Sequence, residues 1–555
     1  MSYPDRGATK LGFINLVKSI RHVEFYQNAP PGLPTFIIFC MREKKKKDWF
    51  KLKRYPHIGF PLTLSDRPWV LNYIQTKTST HSFLPFIHRT SKVRRFRKQY
   101  CEHTGTVLSE GLRVASVKPR ELYYASHLDA AIYSYYTQKL DDTYERFLST
   151  AYFRDAILAY RQIPIDPTRK CSKSNKCTID FAKEVFDYIV NFDHDQFVVV
   201  TFDVSSFFDN LNHKLLLQEW CKLLKVDKLD DAHFNLYKSL TRFNYVELID
   251  LFTRYQDQII TEKKDKHGKV LGRRSKRVSA IKYLRNQNAV SFCSSTEFFK
   301  NSKDLIKSKR YQVTDDGEFK LNKKGEKIAR DFGIPQGTPI SALLSNIYMI
   351  PFDETISAII GADGLYRRYC DDIIVVCSKD RYVNIRNCIY DAISERKLEI
   401  QQRKTQTFHL QKKDGIIILG QEFAAGINYN KKLTYLGFEF DGQSIFLKSA
   451  SLSNYYRKMK RGTRRGQHYA SKIYKGVPQE LFKNRLYKRY SHWGAKRKRL
   501  YVRDKSSPEK FVPSERYNWG NFLSYVYKAD SIFKEGKIRK QVKRHWTVLN
   551  KLIKS

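Results

Sequence analysis

Two places in the sequence hold carboxylates whose surroundings call for chemistry. Asp203 ends the apolar run Phe197, Val198, Val199, Val200, Thr201, Phe202, and Asp371-Asp372 stand between two short apolar runs. A carboxylate at the end of a buried strand is costly unless it is paired or bound to a metal. Two adjacent carboxylates in one tight turn repel each other unless a cation lies between them. Mg²⁺ takes hard oxygen ligands and shares them with substrate phosphates. Two such ions, about 3.5–4 Å apart, activate an attacking hydroxyl and stabilise a leaving pyrophosphate. The chemistry suggested is nucleotidyl transfer. A single Asp-Asp pair is most often a solvated turn, so the weight rests on the surrounding pattern.

The elements that must position these groups follow from periodicity. Residues 197–203 are rich in β-branched side chains and predict a buried strand. An amphipathic stretch follows, with Phe207, Phe208, Leu211, Leu215 and Leu216 on one side. Residues 366–377 predict a hairpin around Asp371-Asp372, and 415–420 and 433–440 predict two further strands. Residues 121–160 read as helices, from Leu128, Ala131, Ile132, Tyr135 and Tyr136 and again from Phe153, Ile157 and Tyr160. Residues 262–331 are highly charged, with Gly268, Gly272, Gly317 and Gly325, and read as an insertion with its own short elements. From 451 onward Arg and Lys interleave with Tyr and Trp at helical spacing, which predicts a separate basic domain.

Composition narrows the partners. The 555 residues carry 102 Lys+Arg against 56 Asp+Glu, a net charge of +46, for which a nucleic acid is the natural counter-charge. The 41% hydrophobic and 14% aromatic content argues against global disorder, and the length suggests roughly three or four folding units. The densest basic runs are Lys44–Lys47 and Arg94-Arg95-Phe96-Arg97-Lys98, beside apolar stretches such as Phe36–Phe39. No apolar run approaches the roughly 18 residues of a membrane span, and the N-terminal residues lack a signal segment. The nine cysteines are scattered, and the Cys171/Cys177 spacing is not that of a zinc knuckle. A reduced cytosolic compartment without structural zinc is the simplest expectation.

Five segments, in order, resemble the motifs of reverse transcriptases. Phe202-Asp203-Val204-Ser205-Ser206-Phe207-Phe208-Asp209-Asn210-Leu211-Asn212-His213 resembles motif A, and Gly333-Ile334-Pro335-Gln336-Gly337-Thr338-Pro339-Ile340-Ser341 with Ser345-Asn346 resembles motif B. Tyr369-Cys370-Asp371-Asp372 matches motif C, Lys404-Thr405 resembles motif D, and Leu436-Gly437 resembles the primer grip, motif E. Upstream, Arg120 and Asp129 keep the spacing of a fingers signature in group II intron-like enzymes.

The resemblance implies an α+β right-hand polymerase fold, with fingers, a palm of antiparallel sheet and helices, and an α-helical thumb. The expected organisation is a basic N-terminal extension (1–110), a fingers and palm domain (111–450) carrying the insertion, and a basic helical thumb and RNA-binding region (451–555). It implies two Mg²⁺ ions, for which Mn²⁺ can substitute, held by Asp203, Asp371, Asp372 and the Val204 carbonyl. Arg120 would grip the incoming triphosphate, with Lys118 assisting. Phe208 would be a steric gate against the ribose 2′-hydroxyl, with either Phe207 or Phe208 facing the core. Gln336 would position template or nucleotide, and Lys404 would stabilise or protonate the leaving pyrophosphate. Leu436 and Gly437 would form the primer grip. The role of Arg161 is left open.

His127-Leu128-Asp129-Ala130-Ala131-Ile132-Tyr133, Ala159-Tyr160-Arg161, and Ser345-Asn346-Ile347-Tyr348-Met349 with Phe352-Asp353 resemble bacterial defence-associated reverse transcriptases of the abortive-infection and unknown-group class. That likeness implies antiphage defence in the bacterial cytoplasm, dNTP substrates, a DNA product, and a structured noncoding RNA or RNA template. It extends to a partner protein or homo-oligomer, and to no membrane. A group II intron-type maturase and a ribonucleoprotein scaffold that dispenses with catalysis are the alternative readings.

Overall fold

The apolar run ending in Asp203 is a strand buried on both faces. Val198, Val200 and Phe202 enter one hydrophobic core, while Phe197 and Val199 enter a second. The strand after Asp371 divides in the same way, with Ile373, Val375 and Cys377 in the first core and Ile374 and Val376 in the second. This explains why both runs are continuously apolar and not alternating.

The computed structural model describes residues 48–108, 113–166, 174–264, 270–314, 316–472, 481–504, 507 and 509–554. They belong to the unit Lys47–Ser555; the chain's other unit, Met1–Lys46, lies outside the described residues. The Phe36–Phe39 stretch, the Lys44–Lys47 run and Cys171 also lie outside them.

In chain order, β1 (Phe86–Thr90), β2 (Val93–Lys98), β3 (Arg113–Lys118) and β4 (Glu121–Tyr124) lead into the long helix α1 (His127–Thr150). Ser126 caps α1 by accepting from the Asp129 N–H. Next come α2 (Thr178–Asn191), β5 (Gln196–Asp203) and β6 (Asn244–Glu247). Beyond the insertion lie α3 (Ser341–Tyr348), α4 (Ile350–Ile360), β7 (Leu365–Tyr369) and β8 (Asp372–Ser378). Then follow β9 (Gln406–Lys413), β10 (Ile416–Phe423) and β11 (Gly426–Asn428). A meander of β12 (Leu433–Tyr435), β13 (Phe438–Phe440) and β14 (Ile445–Leu447) precedes the helix α5 (Ser449–Lys472). A ribbon of β15 (Lys498–Arg503) and β16 (Phe511–Asn518) is followed by α6 (Phe522–Phe533).

The central sheet is antiparallel, in the order β7-β8-β5-β9-β10-β11. β2 and β3 form a separate two-stranded ribbon, and β1 lies between β4 and β6. Part of the charged insertion folds onto residues outside it. Ile259–Lys264, Val270–Lys276 and Ala289–Cys293 form a sheet with His57–Ile58 over a third core.

Four expectations change. Glu121–Tyr124 form the strand β4 and not the start of a helix, because they pair with β1, and 433–440 form two strands, β12 and β13, around the Leu436-Gly437 turn and not one. Residues 153–160 form no α-helix: a 3₁₀ turn covers Arg154–Ala156, and Ile157 then pairs in parallel with Arg368. Pairing with the sheet edge overrides the helical spacing there. The helical period from 451 is interrupted by the β15–β16 ribbon, and the region shares a core with the central sheet. Phe186 of α2 stacks on Phe440 at 5.4 Å and lies 6.5 Å from Phe533 of α6. Among the described residues no helix is long and apolar enough to cross a membrane.

Candidate active site

Register brings the acidic residues together. In the antiparallel pairing of β5 and β8, Asp203 stands directly opposite Asp372 and Phe202 opposite Ile373. Opposite residues project to the same face, so the two carboxylates are neighbours. A slip of one residue would send one of them to the other face. On the far side of β5, Gln401 donates its N–H to the Asp203 carbonyl at 2.8 Å. That anchors the turn from which Lys404 places Nζ 2.6 Å from Asp203 Oδ1.

Asp371 lies in the two-residue turn joining β7 and β8, where Tyr369 pairs with Asp372. Cys370 takes the left-handed conformation there, with φ 61°, a strained choice for a residue with a Cβ. The Val204 N–H donates to the Asp371 carbonyl at 3.2 Å, tying the turn to the end of β5. The Tyr160 hydroxyl donates to Cys370 Sγ at 3.3 Å.

Asp372 is open to solvent but crowded by protein. Desolvation, then Asp371 and Asp203, push its carboxyl up to about 6, against the pull of Lys448 and Lys404. Among the described residues no group of three or more His, Cys, Asp or Glu side chains forms a ready metal cluster. The donor set nonetheless suits a hard divalent cation: carboxylate oxygens set against each other by register, one of them hard to ionise without added positive charge.

Behind the turn lies a fully buried ion pair. Arg368 of β7 and Asp353 of α4 are both 0% exposed and joined by two hydrogen bonds, Nε to Oδ1 at 2.7 Å and Nη2 to Oδ2 at 2.6 Å. Tyr366 also donates to Asp353 Oδ1, at 2.6 Å. Arg368 Nη1 reaches Asn346 Oδ1 of α3 and the Cys370 carbonyl, each at 3.3 Å. The pair is therefore a positioning device for the acidic turn. Asp353 and Arg368 can be picked out in sequence as opposite charges inside apolar runs, but their pairing is visible only in the fold.

The loop 333–341 is fastened to the segment after Asp203. Gly333 N donates to the Leu211 carbonyl and Ile334 N to that of Phe208. Gly333 has φ +86°, and a Cβ there would lie 2.5 Å from the Asp209 carbonyl oxygen. His213 is buried and donates Nε2–H to the Gly333 carbonyl at 2.8 Å. Burial holds its imidazole down to about 4, with Arg330 reinforcing the shift and the Gly333 carbonyl opposing it. The Gln336 carbonyl accepts from Tyr123 N of β4 at 2.9 Å, so the half-buried Gln336 sits where the loop meets β4.

The remaining sequence-predicted residues are distributed as follows. Phe207 is buried in the first core, while Phe208 is half-buried against it, with ring centroids 5.6 Å apart. Arg120 is exposed after the β2–β3 ribbon, and its backbone pairs with Ser91. Asp129 is buried and engaged by His81 Nε2 at 2.8 Å and the Leu84 N–H at 3.1 Å, so it secures the start of α1. Arg161 forms a bidentate pair with Glu145. Leu436 and Gly437, with φ 44° and 91°, form the turn between β12 and β13. Lys448 N donates to the Gly437 carbonyl at 2.9 Å, on the side from which Lys448 acts on Asp372.

Residues 290–440 match the family model described as reverse transcriptase (RNA-dependent DNA polymerase). The chain carries a reverse transcriptase domain. The match takes in the 333–341 loop, Asp371-Asp372, Lys404 and Leu436-Gly437, and its fold is the α+β right-hand polymerase fold. Solved structures similar to the chain include telomerase from Candida tropicalis with a TWJ fragment of telomeric RNA (12% identity, TM-score 0.29, 74% of this chain and 53% of that one). Apo telomerase from Candida tropicalis is similar at 11% identity and TM-score 0.30, covering 75% and 60%. Telomerase from Candida albicans with the corresponding fragment gives 12% and 0.29, covering 71% and 52%. The chain thus spans between half and two thirds of the length of these structures. No curated protein matches it.

Two measurements probe the supports of the reverse transcriptase domain. Arg368→Leu leaves Asp353 buried and unpaired, and lowers the unfolding free energy by about 3–5 kcal/mol. Adding Asp353→Leu recovers most of that loss in denaturant unfolding, while the Cys370-Asp371 turn exchanges its amide hydrogens faster than in wild type because the Cys370 carbonyl has lost its donor. Wild-type exchange at the turn in the double variant would show that the turn holds its own shape. His213 supplies the pH test. Its folded-state pKa lies below the ordinary histidine value, so its contribution is complete above about 6.5 and lost as pH falls towards 4. Wild type therefore loses up to about 3 kcal/mol more than His213→Gln over that window; parallel stability–pH curves would refute this.

Proposed function

We propose that the chain is an RNA-directed DNA polymerase that adds deoxynucleotides to a 3′-hydroxyl. The single observation carrying this reading is the cross-strand pairing of Asp203 with Asp372, beside Asp371. Asp203, Asp371, Asp372 and the Val204 carbonyl are the proposed ligands of two Mg²⁺ ions. When bound, these ions supply Lewis acidity towards the attacking hydroxyl and the leaving pyrophosphate.

The chain's own groups take the other roles. Lys404 exchanges its contact with Asp203 for the pyrophosphate, to which it donates a hydrogen bond or a proton. Arg120 grips the triphosphate with a planar fork suited to phosphate oxygens. Phe208 stands against the 2′ position of the sugar, with Phe207 as its packed support. Gln336 positions the nucleotide or template at the junction with β4. The Leu436-Gly437 turn supports the primer end.

Antiphage defence in the bacterial cytoplasm, with a structured noncoding RNA, is the setting that the defence-class stretches and the charge of +46 favour. A partner protein or second copy belongs to the same reading.

Purified Asp371→Asn/Asp372→Asn protein should incorporate no dNTP on a primed RNA template while melting as a folded protein. Undiminished incorporation by that variant would sink the proposal. Phe208→Ala should raise ribonucleotide relative to deoxynucleotide incorporation by about tenfold or more. An unchanged ratio would remove Phe208 from the gate.

A further inference from the structure

The β15–β16 ribbon contributes no residue to the acidic centre or its supports. Among the described residues its strands pair only with each other, and every residue of β15 is exposed. The stretch Lys496–Arg503 contains five cations and no acid. Alternation along the strands sorts the side chains. One face of β15 presents Tyr501 and Arg503, opposite Pro513 and Phe511 of β16, and across a register shift Arg499 stands opposite Tyr517. Cations and rings therefore interleave along the ribbon.

The rings are not packed into the protein. Tyr501 is 62% and Phe511 60% exposed, and Trp519 just beyond the ribbon is 67% exposed. A two-stranded ribbon bearing large apolar side chains on its surface is marginal alone and marks a binding surface. The cations are built into the arrangement. Arg503 lies 5.7 Å from the Phe511 ring centroid, and Arg497 lies 3.9 Å from that of Trp519 and 5.1 Å from that of Tyr517. Arg499 Nε donates to the Ser514 carbonyl at 2.8 Å, which orients its guanidinium on the ribbon.

We infer that this face binds single-stranded nucleic acid, at a site separate from the acidic centre. Rings stack on base faces, and arginines neutralise the phosphates between them. Residues i and i+2 of a strand lie about 7 Å apart, comparable to one nucleotide step of an extended strand. A duplex is the weaker fit because its base faces are already stacked. A protein partner is disfavoured by five cations without an acid in one strand and its approach. The inference deepens the reading of a basic nucleic-acid-holding C-terminal region, and it needs no catalysis.

The test uses full-length Asp371→Asn/Asp372→Asn protein and fluorescence anisotropy with labelled oligo-U, oligo-dT and a blunt RNA duplex. Tyr501→Ala/Phe511→Ala should weaken single-strand binding by about tenfold or more and leave duplex binding unchanged. Tyr501→Phe should retain the affinity, and thermal melting should be unaltered. Arg499→Gln/Arg503→Gln should make single-strand binding less salt-dependent. Unchanged single-strand affinity in the Ala variant would overturn the assignment, as would an equal loss for duplex and single strand. Because only binding is read, failure here is distinguishable from failure of the polymerase proposal.

Discussion

Everything around the candidate active site answers one constraint: two strands place like charges face to face. Asp203 and Asp372 are cross-strand partners, and Asp371 adjoins them in the turn. Opposed carboxylates destabilise a sheet. The register that imposes them is held by the apolar pairs behind, such as Phe202 with Ile373 and Val200 with Val375. Both strands feed two cores at once. Hydrophobic burial on two faces therefore fixes a pairing that electrostatics alone would reject. The repulsion is relieved in part by Lys404 on Asp203 and by Lys448 acting on Asp372. Such a site is poised to gain from added positive charge.

The buried Arg368–Asp353 pair serves the same constraint from below. The cost of desolvating an ion pair is poorly repaid as stability. It is better repaid as position, because one guanidinium ties α4, α3 and the Cys370 carbonyl together. A strained turn at Cys370 and a carboxylate pair in the sheet thus rest on one rigid group. The 333–341 loop is held by comparable means, through His213 and the close approach that Gly333 allows.

The positive charge divides by location. Around the acidic centre it is local: Lys404 and Arg368 are paired with carboxylates, and Lys448 acts on Asp372. On the β15–β16 ribbon it is exposed and interleaved with rings, a pattern suited to an extended polyanion. The charged insertion gains its order from outside itself, since His57–Ile58 completes its sheet and Ile58 and Val246 enter its core.

Much of the centre was legible from residue order alone. The apolar runs, the hairpin around Asp371-Asp372, the strand near 415–420 and the glycine-bounded loop all follow from local preferences, which act over a few residues. The sequence by itself determined which carboxylates, glycines and apolar runs exist and how far apart they lie along the chain. Only the tertiary structure decided that Asp203 faces Asp372, that Lys404 lands on Asp203, and that Arg368 finds Asp353. It also decided that residues 153–160 leave the helical pattern to pair with β7, that Asp129 serves His81, and that a ribbon interrupts the C-terminal helices. Each of these depends on register or on contacts between distant segments. Their energies come from burial and pairing across the fold, which no local spacing encodes.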